Sequence, residues 1–395
     1  MRRELWIIFA IIFVNLLGFG IVIPLLPLYA VQYRASEPQI GLLFASYSLS
    51  QLLAAPVLGY LSDRYGRRPI LLLSLLGTVV SFAMLALANS LALLFVARIL
   101  DGLSGGNIPT ARAYISDVTP PEERARAYGL IGAAFGLGFI FGPALGGLLG
   151  QVSLATPFWA AAGLAALALV MTGLWLPESH HQRTQTWINP WRELPRLMRR
   201  PLLGRLLLID FFTWAAFSVY QTTFALFALH RFGWGAREMG YTLAGIGLIG
   251  AYIQGREVGR VVRRLGERQT FVWGMVLSAL GLGAAAFAQQ VTFFVLFLGV
   301  ASVGAALVSP TLVAMLSKTG TAAEGGRIQS VGSALESLGR TLGPVWGNGL
   351  LGLYGEGVAY LSAAVVLGLL AVAGARLPVS SDAVSEVQTR TQAPM

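Results

Sequence analysis

Apolar positions in this chain do not alternate at the period of a strand, nor do they form the narrow stripe of a surface helix. They run on for about twenty residues at a time, long enough to cross a hydrocarbon layer as a helix. Twelve such runs are predicted, at 5–30, 38–62, 69–88, 91–115, 125–150, 156–176, 202–229, 238–262, 269–288, 291–317, 325–351 and 356–376. The first follows Met1-Arg2-Arg3-Glu4 and is too long for a signal-peptide core, so it reads as a retained span. Between the sixth and seventh runs the apolar character stops. That stretch carries His180, His181, Arg183, Arg192, Glu193, Arg196, Arg199, Arg200 and Arg205, with several prolines, and predicts a connector over 177–201 lying on a membrane surface. The tail 378–395 is rich in Ser, Thr and Gln and is expected to be disordered. The pattern predicts an all-α membrane protein whose twelve transmembrane helices form two six-helix bundles, at 1–176 and 202–377.

Composition narrows the function. With 395 residues, 55% of them hydrophobic and 12% charged, the chain cannot keep a water-soluble surface, and its length leaves no room for a separate catalytic domain. A formal charge of +10 would suggest nucleic acid for a soluble protein. Here the basic residues sit in short segments between apolar runs, a distribution that sets orientation and implies no nucleic acid partner. If both termini are cytoplasmic, 21 of the 28 basic residues lie on the inner side, and only Arg34, Arg231 and Arg237 on the outer. The expected setting is therefore a cell (inner) membrane crossed many times, with both termini inside. Cysteine is absent. No phosphate-binding loop, metal-ligand cluster or nucleophile elbow occurs, so neither an enzyme nor a bound cofactor or metal is expected, and His180-His181 reads as a solvated pair.

A shift of 200 or 201 positions superposes special residues of the two halves. Gly59, Arg64, Gly66 and Arg68 meet Gly259, Arg264, Gly266 and Arg268. Pro109-Thr110 meets Pro310-Thr311, Arg126 meets Arg327, and Gly138, Gly142, Pro143 and Gly146 meet Gly339, Gly343, Pro344 and Gly347. Two parallel repeats facing each other across a pseudo-two-fold axis place a substrate path between them near the midplane, with rocking of the halves giving alternating access.

The turn Gly59-Tyr-Leu-Ser-Asp63-Arg64-Tyr-Gly66-Arg67-Arg68-Pro69 is built for a gate. Gly59 would admit a neighbouring helix, Gly66 a tight turn, and Pro69 starts the next helix. Asp63 is expected to cap a helix or pair with an arginine only when the cytoplasmic side is closed. This segment resembles the signature loop of the major facilitator superfamily, and the resemblance implies a charge relay through Arg67 and Asp117. In the fifth run Gly138, Gly142, Pro143, Gly146 and Gly147 look like the glycine-proline motif of that superfamily's antiporter branch; the same small residues also serve ordinary close packing. Ala97-Arg98-Ile-Leu-Asp101-Gly102 and Ala113-Tyr-Ile-Ser-Asp117 resemble the corresponding stretch of tetracycline:proton antiporters and their multidrug relatives. That likeness implies proton coupling at Arg98, with Asp101 one turn away as partner; a purely structural pair fits the residues equally.

Asp210, Glu336 and Arg340 are other ionisable groups deep in predicted helices, along with Arg256 and Glu257 late in the eighth. A carboxylate that alternates between dry and wet surroundings can load and release a proton, although Glu336 and Arg340, four apart, also suit a static ion pair. Two departures from the family pattern matter. Asn15 stands where tetracycline antiporters carry an aspartate, and an amide binds substrate but carries no proton. Arg256-Glu257 puts charge where relatives have small or apolar residues, and is expected to pair across to the fifth helix near Arg124 or Arg126, or else to snorkel. Asn15, Gln51, Trp214, Tyr220, Gln221, Phe224, Tyr252 and Trp346 are expected to line the substrate cavity, where aromatic walls with a few polar groups suit a flat amphiphile.

The expected function is proton-coupled export of a small amphipathic compound by a monomer whose energy source is the proton gradient. A symporter or facilitator for a sugar, organic acid or other small metabolite fits the same fold, and a non-transporting receptor is the more distant alternative.

Overall fold

The computed structural model describes residues 3–120, 123–179, 190–320 and 324–378. Among them the chain is helical throughout. The first half supplies span one (Arg3–Gln32), span two (Glu37–Tyr65), span three (Arg67–Ala86), span four in two pieces (Leu91–Leu103 and Asn107–Val118), span five (Arg124–Leu149) and span six (Thr156–Trp175). A short helix, Pro190–Met198, precedes span seven (Pro201–Phe232). Span eight begins as Ala236–Tyr252, passes through a π-helical turn, Ile253–Glu257, and continues into Val258–Ala286, a segment kinked at Gly266 beyond which lies span nine. Spans ten (Val291–Ser317), eleven (Gly325–Tyr354) and twelve (Glu356–Ala375) complete the second half.

Ten segments are long and apolar enough to cross a membrane. One of them, Ala236–Ala286, is spans eight and nine joined; span eleven, more polar than the rest, brings the number of helices to twelve. The joined pair turns at Gly266, which adopts φ +79°, as its repeat mate Gly66, at φ +109°, turns the chain between spans two and three; this left-handed region is open to glycine at little cost.

Span four is not the single helix its sequence predicts. Ser104, Gly105 and Gly106 break it, with Gly105 N–H bonded to the Gly102 carbonyl and Gly106 N–H to the Ser104 carbonyl. Two adjacent glycines lower helix propensity enough to allow this. The second half has Ala305-Ala306-Leu307 at the matching place and stays helical. The connector is described only in part. Its described part, Pro190–Met198, is helical and packs against spans seven and eleven with Leu197 buried. The histidine pair His180-His181 and the tail from residue 379 lie outside the described residues.

Small residues set the packing within and between the halves. Span five lies on span one through Gly138, Gly142 and Gly146, which abut Leu16, Leu17, Gly20 and Ile21; span eleven lies on span seven through Gly339, Gly343 and Gly347. Between halves, span five meets span eight and span two meets span eleven. A Cβ on Gly147 would stand 2.8 Å from the Ala236 carbonyl, and one on Gly41 would stand 2.6 Å from that of Pro344. These contacts fail progressively toward the end carrying the Arg64–Arg68 turn, here called the basic end. On span five, Gly136 has its nearest neighbour, Ala251, at 3.7 Å, and Gly132 and Gly129 have none within 4 Å. Gly255 on span eight and Gly59 on span two likewise face open space. The halves are joined at one end and parted at the other.

Candidate functional site

The basic end of the first half is tied by Arg67. Its guanidinium donates to Asp63 at 2.5 Å, to Asp117 at the end of span four at 3.1 Å, and to the Ser62 hydroxyl at 3.1 Å. The relay implied by resemblance is thus formed, with two corrections. Asp63 pairs while the halves are parted, because its partner is one turn along the same loop and needs no closure. Gly59 admits no neighbour in this arrangement, because span eleven stands away from it. Arg64 leans on the Tyr65 ring and bonds Tyr60, whereas Arg68 donates to the Gly173 carbonyl. Glu178, placed by sequence among the surface residues, caps span three by accepting the backbone N–H of Arg67 at 2.8 Å and of Arg68 at 3.1 Å. Gly66 is required here, since a Cβ would strike that carboxylate.

The second half repeats the tie with the charges exchanged. At the registers of Arg67 and Asp117 it carries Glu267 and Lys318, which pair at 2.7 Å. Near the same end, Arg200 before span seven grips Glu324 before span eleven through both nitrogens, at 3.0 and 2.5 Å, and those hydrogen bonds raise the Arg200 pKa above its ordinary value.

Deeper in, two buried charge clusters face the interface from opposite halves. In the first, Arg98 (1% exposed) donates to Asp101 at 2.7 Å and its guanidinium lies 4.1 Å from the Tyr47 ring centre. Tyr47 in turn accepts from Gln51, which also reaches the Gly105 carbonyl at the break in span four. In the second, Asp210 (2% exposed) on span seven neighbours Glu336 and Arg340 on span eleven. The Arg340 guanidinium lies 5.0 Å from the Trp214 ring and bonds Ser337, and one oxygen of Asp210 has no protein partner. Arg112, on the far side of the break in span four, comes near Glu336 from the opposite half. Arg112 and Tyr47 are not among the expected site residues; Arg112 sits inside the predicted fourth run, and the rarity of charge there was the signal for it.

The expected cavity residues divide. Asn15, Gln51, Trp214, Tyr220, Gln221 and Trp346 are half-buried. Phe224 is a correction: it is fully buried, away from the interface, in an aromatic cluster with Phe294, Trp234 and Tyr220. Aromatic rings gain from edge and offset contacts with one another, and the cluster offers Phe224 three such neighbours. Tyr252 is 55% exposed near the basic end of span eight, where its hydroxyl bonds Glu257. Glu257 pairs with Arg260 of its own span at 2.7 Å, so it has a local partner in place of the expected reach to span five. The side chains of Arg124 and Arg126 lie outside the described residues. Arg256 and Glu257 occupy the π-helical turn, an insertion common at functional positions.

Comparison with known proteins agrees with this architecture. The family model of the Major Facilitator Superfamily matches residues 8–256 and 258–394. The chain belongs to the major facilitator superfamily. It is 36% identical over 353 residues to the tetracycline resistance protein, class C, of Escherichia coli, covering 87% of this chain and 88% of that one. To the quinolone resistance protein NorA of Staphylococcus aureus it is 25% identical over 376 residues, covering 93% and 95%. Among solved structures, the human organic anion transporter MFSD10 (TETRAN) matches with a TM-score of 0.73 at 26% identity, covering 94% of this chain and 99% of that one. This superfamily member is thus a multi-pass membrane transporter with drug-efflux relatives, and a receptor without transport is set aside.

Proposed function

We propose that this transporter exports small amphipathic compounds in exchange for protons, the two taking turns at the space between the halves. The observation carrying the reading is the pair of charge clusters, Arg98–Asp101 and Asp210–Glu336–Arg340, buried on opposite walls of that space. Charge inside a membrane is costly and persists where it does work. A fold held by glycine and leucine packing has no need of it. Relatives named for tetracycline and quinolone resistance support a drug-like cargo. The guanidinium-on-ring plates, Arg98 on Tyr47 and Arg340 on Trp214, give a flat substrate stacking faces edged with charge.

With the basic end cytoplasmic, as the arginine distribution argues, the parted halves are open toward the cytoplasm. Substrate enters there, and rocking about the joined ends delivers it outside. The protein acts as a monomer in the cell inner membrane, both termini inside, with the proton gradient as its energy source and no cofactor. A second reading, an anionic cargo, is favoured by Arg112, Arg98 and Arg340 together and by the likeness to an organic anion transporter.

The test is proton movement in liposomes holding the purified protein and a trapped pH dye, as cationic, zwitterionic and anionic amphiphiles are added in turn. Export reads as proton flux opposite to substrate flux, lost in Asp101→Asn, Asp210→Asn or Glu336→Gln. Flux in the same direction means symport, and substrate movement without protons refutes coupling. The compound class that drives flux decides between the two cargoes.

A further inference from the structure

The two halves repeat each other's backbone but not the chemistry between their third and fourth helices. Before the break in span four the repeat offset is 200, and after it 201. At the registers of Ser74, Ser81, Arg98, Asp101 and Asn107 the second half carries Gly274, Gly281, Leu298, Ala301 and Val308. There the seam is tight: a Cβ on Gly281 would stand 2.5 Å from the Ala301 nitrogen, and Val308 is fully buried. The repeat keeps a single polar side chain here, Ser278 at the register of Thr78, and pairs it across the seam with the Ala301 carbonyl, so the seam closes without an unpaired polar group. In the first half the same seam holds buried Ser74, Thr78, Ser81, Asp101 and Asn107.

Several of those groups have no partner among the described residues. Both polar atoms of the Asn107 amide (1% exposed) and the Ser74 hydroxyl (0% exposed) are buried and unpaired, as is the Nε of Arg98. They cluster at the break, where the Ser74 hydroxyl abuts Gly106, the residue before Asn107. Leaving one buried amide or hydroxyl unpaired costs about 1–3 kcal/mol, and such groups are ordinarily met by buried water. Toward the joined end, the Ser81 hydroxyl lies near the Asp101 carboxylate and donates to the Thr78 carbonyl.

We propose that the break in span four is a hydration site, with water bound by the Asn107 amide and the Ser74 hydroxyl. That water extends along the Ser74, Thr78 and Ser81 face of span three to Asp101, forming a proton route inside the first half and apart from the substrate space. In each hop one water O–H breaks as the next O–H forms, and the last proton comes to rest on the Asp101 carboxyl. The route rests on the proton-coupled reading above; the hydration does not. It also gives the break a purpose, since an unbroken helix would fill the seam as span ten does.

Two measurements on the full chain decide it. A structure at a resolution that shows ordered water should place water within hydrogen-bond distance of Asn107 and Ser74. In liposomes, Asn107→Val, the residue used by the second half, should slow substrate-driven proton flux about tenfold while substrate binding is unchanged. Ser74→Ala is the second variant if the first does not fold. A dry seam, or a hydrated one with full flux in both variants, overturns the proposal. Failure of the parent reading looks different: a hydrated seam in a wild-type protein that moves substrate and no protons, which removes the route and leaves the water site standing.

Discussion

Replacing Asp101 by Ala strands the Arg98 guanidinium in a site where it is 1% exposed. The salt bridge at 2.7 Å is lost, Nε is already without a partner, and the face of Tyr47 is what remains. Removing one member of a buried pair costs about 3–5 kcal/mol, and a retained cation–π contact is worth up to about 2 kcal/mol, so the lower end of that range applies. Arg98→Leu should cost less, because a lone carboxyl sheds its charge by taking a proton and a guanidinium cannot. The double variant Arg98→Leu with Asp101→Ala installs the Leu298 and Ala301 of the second half, and replacing a whole buried pair by apolar residues is often close to neutral. The expected order of stability is wild type near the double variant, then Arg98→Leu, then Asp101→Ala. Unfolding in detergent, followed by tryptophan fluorescence, measures all four proteins, and the coupling energy should equal the sum of the two single costs, above about 3 kcal/mol. Costs that simply add, to within about 0.5 kcal/mol, would refute the claim that the two groups are held as a pair. A stable double variant that no longer moves protons would then separate the pair's role in transport from any role in folding.

The mirrored ties at the basic end should differ in weight. Arg67 is 10% exposed at its side chain and Lys318 is 58% exposed, so Asp117→Ala should cost about 1–3 kcal/mol and Lys318→Ala under about 1 kcal/mol, read in the same unfolding assay. Glu178→Ala removes the acceptor for two backbone N–H groups and should cost about 1–2 kcal/mol, with faster hydrogen exchange at the Arg67 and Arg68 amides. Gly240→Leu should hold spans five and eight apart at their joined ends, since its side chain would meet the Pro143 carbonyl and Gly147. The absence of cysteine makes spin labels at introduced thiols a direct check, and unchanged label distances there would contradict the closure described.

Length and hydropathy made the spans legible because a membrane leaves a helix few alternatives to satisfying its own backbone. The glycine and proline coincidences at Gly138 to Gly146 and Gly339 to Gly347 made the repeat legible, since close approach of span five to one and of eleven to seven demands small residues at fixed intervals. The break in span four was not foreseen, although Ser104-Gly105-Gly106 spelled it out. Inside a long apolar run, two glycines read equally as packing residues and as a break, and only the comparison with Ala305-Ala306-Leu307 separates the two. Phe224 was misassigned because ring content reports affinity for an apolar setting and not which side of the helix that setting lies on. Glu178 was missed for a related reason: its partners lie 110 and 111 positions away, and nothing local marks a carboxylate that caps a distant helix.

The asymmetry of the halves bears on how rocking is coupled to charge. Both halves pack by the same glycine pattern, so the fold alone treats them alike, and the difference must come from what each buries. The first half holds its charge pair in a single helix, Arg98 and Asp101 three residues apart, so that pair moves as a unit when the halves rock. In the second half Asp210 belongs to span seven and Glu336 and Arg340 to span eleven, with Arg112 approaching from the first half. Their separation therefore depends on the angle between the halves, because Arg112 withdraws from Glu336 whenever the joined and parted ends exchange. A positive charge that approaches and recedes from a carboxylate favours its ionised form in one conformation and its protonated form in the other. On the proton-coupled reading proposed above, loading at the second half would be linked to the same motion that opens the substrate space. On this argument Arg112→Gln should weaken the dependence of transport on the proton gradient, measured as substrate accumulation in liposomes at a fixed imposed pH difference. Full accumulation in that variant would exclude Arg112 from the coupling.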